Sequence, residues 1–159
     1  MKRLGMLLFL VGAVAVGALY FTSGPKPRLE GEITEVRTLT VEPEASVALV
    51  NFKAENITRN NFVANGRQLE IIDSAGQTHR GTTVNTVDLK DLFQYFPELG
   101  GMKDEPFGAQ SEIPSGETVR GLIAARFEVS KEALDNRQAL LIRVTDGAGR
   151  ETVLRDPPE

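Results

Sequence analysis

Cysteine is absent from the 159 residues, and histidine occurs once, as His79. The first absence removes disulfide staples, thiolate zinc sites, Cys nucleophiles and any lipoprotein-type lipid attached to Cys. The second leaves His79, in a predicted strand beside Arg80, without the companion that a transition-metal or Cys/His site requires, so it reads as a surface or edge residue. Also lacking is an excess of positive charge, with 18 basic residues against 22 acidic ones. Without Lys2 and Arg3, which precede an apolar run, 16 basic residues remain and the net charge is about −6. The charges are interspersed, as on a solvated globular surface, and no nucleic-acid partner is expected. No internal repeat or low-complexity tract is evident.

What the chain does have is one long apolar run, Leu4 to Phe21, behind Lys2 and Arg3. Eighteen helical residues at about 1.5 Å each span roughly 27 Å, close to the ~30 Å hydrocarbon core of a bilayer. The positive start holds the N-terminus in the cytoplasm, and Tyr20-Phe21 sits where an interfacial aromatic belt lies. The expectation is a single-pass anchor in a bacterial cytoplasmic membrane, contacting lipid through residues 4–21, with the rest of the chain periplasmic or extracellular. Ala13-Val14-Ala15 and Val16-Gly17-Ala18 also offer small-residue cleavage sites, and use of either makes the mature protein a secreted soluble binder. Residues 1–21 are thus anchor or signal segment. Residues 22–30, with Pro25 and Pro27, read as an extended stalk, and 31–159 as one domain large enough for its own core.

Within that domain β-type patterning dominates. Ile33–Val41 is rich in β-branched residues and ends at Pro43. Over Ala45–Ala54, Ala48, Val50, Phe52 and Ala54 face one way while Val47, Leu49, Asn51 and Lys53 face the other. Further strands are read at Phe62–Ala64, Gln68–Asp73, Thr78–Val84, Thr118–Val129, Gln138–Thr145 and Arg150–Leu154. Ser74-Ala75-Gly76-Gln77 and Asp146-Gly147-Ala148-Gly149 supply hairpin turns. Seven or eight short strands predict a mainly β, immunoglobulin-like antiparallel sandwich.

One stretch departs from the pattern. Leu89, Leu92, Phe93 and Phe96 follow i, i+3, i+4, i+7 spacing, which predicts a helix over 87–99 with Asp88 at its start and Pro97 at its end. Together with an irregular loop through Phe107 it forms an insertion at about 86–111. Tyr95, Met102 and Phe107 lie off the helical stripe, where exposed aromatic and Met side chains fit a protein interface. They are the candidate partner contacts, for an envelope protein or a second copy of this chain.

Catalytic constellations do not emerge. Ser74, Ser111 and Ser115 lack a nucleophile-elbow context. The acidic pairs Asp88 with Asp91 and Asp104 with Glu105 offer oxygens for calcium without EF-hand spacing, and Gly100-Gly101 lacks the frame of a phosphate loop. Asn56-Ile57-Thr58 matches a glycosylation sequon. No catalytic residue, cofactor or metal ligand is assigned.

Four segments carry a family resemblance: Val47-Ala48-Leu49-Val50-Asn51-Phe52-Lys53-Ala54-Glu55-Asn56, Leu69-Glu70-Ile71-Ile72-Asp73-Ser74-Ala75-Gly76, Ile113-Pro114-Ser115-Gly116-Glu117-Thr118-Val119-Arg120-Gly121 and Phe127-Glu128-Val129. Over residues 33–155 the chain resembles the immunoglobulin-like domains grouped as domain of unknown function 4352, bacterial sandwiches that are secreted or membrane-tethered. It differs in lacking a lipobox Cys and in its longer insertion. The resemblance implies a tethered binding or assembly module without assigned chemistry. The competing class is an extracytoplasmic enzyme that works through carboxylates.

Overall fold

Alternating and β-branched stretches form strands throughout residues 28–156, which the computed structural model describes. In chain order they are β1 (Leu29–Glu42), β2 (Ala45–Asn56), β3 (Phe62–Ile72), β4 (Thr78–Arg80) and β5 (Thr82–Thr83). Helix α1 (Thr86–Tyr95) and a 3₁₀ turn (Pro97–Leu99) follow, then β6 (Glu112–Ile113), β7 (Thr118–Phe127), α2 (Lys131–Asp135), β8 (Ala139–Asp146) and β9 (Glu151–Asp156). One sheet has the order β1-β2-β7-β5; the other has β4-β3-β8-β9, with β6 against the start of β3. The named strands pair antiparallel. The result is the expected two-sheet antiparallel sandwich. The apolar segment 4–21 and most of the stalk lie outside the described residues, and among the described residues no helix is long and apolar enough to cross a membrane.

Several boundaries differ from the sequence reading. β1 begins at Leu29, inside the segment read as stalk, because Leu29 is buried and pairs with Asn56. The two stretches read separately at Phe62–Ala64 and Gln68–Asp73 are one strand, β3, with a bulge between Ala64 and Gly66. Thr78–Val84, read as one strand, divides at Gly81: β4 pairs with β3 in one sheet and β5 with β7 in the other. This crossover closes one side of the sandwich. A second helix is also present, α2, whose first turn is capped by the Ser130 hydroxyl accepting from the Ala133 N–H. Its five residues are too few to show periodicity, and it is pinned by burial of Leu134 in the core.

Bulges keep apolar residues on the inner face. In β1 a register shift between Ile33 and Glu35 puts Ile33 opposite Phe52 and Val36 opposite Val50, so residues three apart share one face despite the period of two. Ala48, Val50, Phe52 and Ala54 of β2 meet Leu69, Ile71, Leu140, Ile142 and Val144 of the second sheet in the main core. Each large side chain buried there stabilises the fold by about 1.5 to 3 kcal/mol relative to exposure.

Two hairpin turns share one design. Asp73 and Asp146 each accept N–H bonds on Oδ1 from residues two and four further on, Ala75 and Gln77 in one turn and Ala148 and Arg150 in the other. Gly76 and Gly149 close the turns at φ 81° and 76°, backbone that glycine adopts at little cost. The remaining oxygen, Oδ2, takes a side-chain nitrogen: His79 Nε2 at 2.7 Å in the first turn and the Arg28 guanidinium Nη1 at 2.8 Å in the second. Arg28 also lies over the Phe62 ring at 6.0 Å, so the chain is clamped where the domain begins. The other carboxylate clamp is Glu70, buried on the outer face of the second sheet and accepting from Arg80 at 2.9 Å and Arg143 at 2.7 Å.

The clamps make stability depend on acid. Burial raises the Asp146 and Glu70 carboxyls, but the donors on each outweigh it and hold both below the ordinary range. Asp73 is held low as well, first by the His79 hydrogen bond and then by the Gln77 N–H. Groups depressed in the folded state contribute stability above their unfolded pKa, about 4, and lose it as pH falls through the folded value. Thermal unfolding is therefore expected to be flat from about pH 7 to 5 and to fall steeply below about pH 4. Replacing Asp146 by Asn is expected to cost about 3 kcal/mol at neutral pH and to make the acid limb shallower. Melting curves across pH check both.

Candidate functional site

Strand β2 is buried on both faces from Ala45 to Phe52, so a single partner sheet cannot cover it. Its inner face meets the sandwich core; its outer face, Val47 and Leu49, joins Leu39, Leu122 and Ala124 in a second apolar cluster. The insertion covers that cluster. Leu89 of α1 and Leu99 of the 3₁₀ turn are buried there, with Leu92, Phe93 and Phe96 partly buried beside them, which is the predicted helical stripe. Asn85 caps α1 by accepting from the Val87 and Asp88 N–H groups, so Asp88 is a first-turn acid and not the cap. The helix stops at Tyr95, before Pro97, as the sequence predicts.

A polar seam fixes this third layer in place. Asn51, 1% exposed, accepts from Arg37 Nη2 at 3.0 Å and donates Nδ2 to Asp104 Oδ2 at 2.6 Å. Arg37 further donates Nη1 to the Leu99 and Gly101 carbonyls at 2.7 and 3.1 Å, and its guanidinium lies 5.3 Å from the Phe93 ring centre. Asp104 also accepts from Arg120 Nε at 2.9 Å. Burial raises the Asp104 carboxyl, but Arg120 and Asn51 outweigh it and hold the group below its ordinary value. Asp104 is thus an ion-paired bracket, and no group of three or more potential metal ligands occurs among the described residues. The sequon amide is likewise engaged: buried Asn56 donates to the Asn60 and Ile113 carbonyls at 2.8 Å each.

The three candidate contact residues separate. Tyr95 is 75% exposed and Met102 39%, as required of contact residues. Phe107 is 5% exposed and belongs to the main core, which corrects its assignment to the contact surface. The physical reason is a short strand-like return. Leu122 donates its N–H to the Glu105 carbonyl and Phe107 donates to the Leu122 carbonyl, both at 2.9 Å, so residues 105–107 extend the β7 edge. Phe107 then stacks edge-on against Phe52 with ring centres 5.2 Å apart. Gly121 makes the room: a Cβ there would sit 2.8 Å from Phe52 and 3.0 Å from Phe107. Gly121, heading the apolar run Leu122–Ala125 of β7, is the sequence signal that a large side chain approaches.

Beside this return, between residues 105–111 and the first turn of α1, lies an open groove of about 700 Å³. Arg67, Val87, Lys90, Glu105, Ala109 and Ser111 are among its lining residues. Register places Arg67 opposite Val144 and two residues before Leu69, on the inward face of β3. Its Nη2 donates to the Val84 carbonyl at 3.3 Å, and its buried Nε has no acceptor. Burial lowers the Arg67 pKa from its ordinary value. Gln110, also in the lining, holds φ at 69°, the one non-glycine positive φ among the described residues. Sequence reasoning missed Arg67; the alternation Arg67, Leu69, Ile71 was the available signal. His79 sits on edge strand β4, outside this region, tied to Asp73.

No family model matches the chain, and no curated protein matches it. It is similar to solved structures of low identity. One is an uncharacterized beta-sandwich protein from Clostridium difficile 630, 11% identical over 82% of this chain and 86% of that one, with a TM-score of 0.43. Another is a candidate lipoprotein from Bacillus subtilis subsp. subtilis str. 168, 10% identical over 82% of this chain and 38% of that one, TM-score 0.46. A third is a functionally unknown protein from Listeria monocytogenes EGD-e, 13% identical over 80% and 76%, TM-score 0.43. Similarity at these levels carries nothing about ligand or activity.

The seam generates a direct expectation. Replacing Asn51 by Ala leaves Arg37 and Asp104 each short of a partner under the insertion, at a cost of about 2 kcal/mol. Urea unfolding should report that loss, and amide exchange over residues 99–106 should quicken while β8 stays protected. Unchanged exchange there would mean that the apolar cluster alone holds the insertion.

Proposed function

We propose that this chain is a non-enzymatic binding or assembly module of the immunoglobulin-like type, similar to the domains of unknown function 4352. Residues 4–21 tether it in a bacterial cytoplasmic membrane, with the N-terminus cytoplasmic and the sandwich outside. The observation that carries the reading is the mounting of the insertion: Tyr95 and Met102 are exposed on a layer that Arg37, Asn51 and Asp104 fasten to the sheet. Fastening reduces the ordering cost of binding, and exposed aromatic and Met side chains supply contact area. The clamp of Arg28 on Asp146 supports the reading by fixing the first described residue to the sandwich. Against the carboxylate-enzyme reading, Glu70, Asp73, Asp104, Asp135 and Asp146 are all held low by cationic or N–H donors. That is the state of a structural anion and not of a general acid poised near neutrality.

A photoactivatable residue at position 95, in cells with intact membranes, tests the module. A discrete adduct is expected that weakens when Met102 becomes Ser and is absent when the photoactivatable residue sits at Val153 in β9. An adduct at twice the 17.3 kDa chain mass identifies a second copy, and any other mass an envelope partner. Absence of a position-95 adduct overturns the contact surface. The mass of the mature N-terminus tests the tether: an intact start keeps the anchor, whereas a start after Ala18 makes the protein a secreted soluble binder.

A further inference from the structure

We propose that the groove between residues 105–111 and the first turn of α1 binds a carboxylate carried on a small apolar body, with Arg67 as the anchoring cation. Among the described residues, three guanidinium Nε atoms are buried without a hydrogen-bond acceptor, on Arg37, Arg67 and Arg137. Arg37 has Glu35 at 3.6 Å and Arg137 has Asp156 at 3.3 Å, but Arg67 has no carboxylate within ion-pairing distance among the described residues. A guanidinium on the inward face of β3, opposite Val144, with a buried Nε that has no acceptor and one long hydrogen bond to the Val84 carbonyl, is partly desolvated and lacks a counterion. An anion entering the groove supplies one.

The lining selects the kind of anion. Arg67 and Lys90 against Glu105 leave one net positive charge, which matches a monoanion better than a phosphate or polyphosphate. The guanidinium fork suits the two coplanar oxygens of a carboxylate. Val87, 71% exposed, with Pro106 and Ala109, offers a small apolar wall to the group that bears it. Free organic acids and the C-terminal carboxylate of a peptide share this chemistry. This site lies at the start of α1, whereas Tyr95 lies at its end, so its test is separate from that of the contact surface.

The full chain in nonionic detergent, labelled with ¹⁵N, is titrated with sodium isobutyrate, with acetyl-tetra-alanine bearing a free C-terminus, and with the amidated form of that peptide. Saturable shifts are expected at the Arg67 Nε–H and at amides 84–90 and 105–111, with either free acid and not with the amide. Comparable affinity for the two acids identifies a free-acid site; affinity at least about tenfold higher for the peptide identifies a chain-end site. Arg67→Met is expected to weaken binding at least about tenfold, and Lys90→Gln, on an exposed helix position, about two- to fivefold. If Arg67→Met does not fold, the wild-type Arg67 Nε–H shift and the Lys90→Gln affinity decide. No saturable shift with either acid, a shift that persists in folded Arg67→Met, or tighter binding of inorganic phosphate overturns the assignment.

Discussion

The constraint on which the rest depends is that β2 must be buried twice. A strand of a two-layer sandwich ordinarily shows water one of its faces. Here Val47, Leu49 and Asn51 are as fully enclosed as Ala48, Val50 and Phe52. Covering that second face takes a third layer, and α1 with the 3₁₀ turn provides it. The insertion is therefore part of the core and not a loop hung on a finished sandwich. Once it is in place, Asn51 is a buried amide that has to be satisfied, and the donors and acceptors that satisfy it, Arg37 and Asp104, fasten the layer. Packing sets the layer's position, and the polar seam sets its register.

From this follows what is left for function. The α1 stripe turns Leu89 inward, so Tyr95 points outward by helical geometry. The chain then has to return to the sandwich, and it does so by adding residues 105–107 to the β7 edge and dropping Phe107 into the space that Gly121 leaves. That return walls one side of the groove, and the start of α1 walls the other. Both the exposed rim and the groove are consequences of covering β2.

Legibility in the sequence tracked the range of the interactions involved. Local periodicities were readable: the alternation of Ala48, Val50, Phe52 and Ala54, the stripe Leu89, Leu92, Phe93, Phe96, and the stop at Pro97. The antiparallel sandwich and its short helix came from these. Features set by long-range pairing were not. The split at Gly81 depends on β5 finding β7, and the lone glycine in Thr78–Val84 marks a close approach without telling which sheet supplies it. Phe107 looked exposed because its partners, Phe52 and Leu122, lie 55 and 15 positions away along the chain. Asn51 was read on the right face, with Val47 and Leu49, but the layer that closes that face was set by distant packing.

Arg67 is the instructive case, because the same period-two rule that placed the core also placed a cation in it. Counting back from Ile71 and Leu69 assigns Arg67 to the inward side, and pairing with Val144 agrees. Two other arginines with little side-chain exposure are answered by carboxylates: Arg28 by Asp146 and Arg137 by Asp156. In a chain with 22 acidic residues, partners were available by composition. Among the described residues the fold leaves the inward Arg67 guanidinium open to a groove without a counterion, and its partial desolvation carries a cost that burial of apolar surface elsewhere offsets. Local rules broken without internal compensation concentrate at sites that meet something from outside, and in this domain that break falls at Arg67, beside the strained backbone of Gln110.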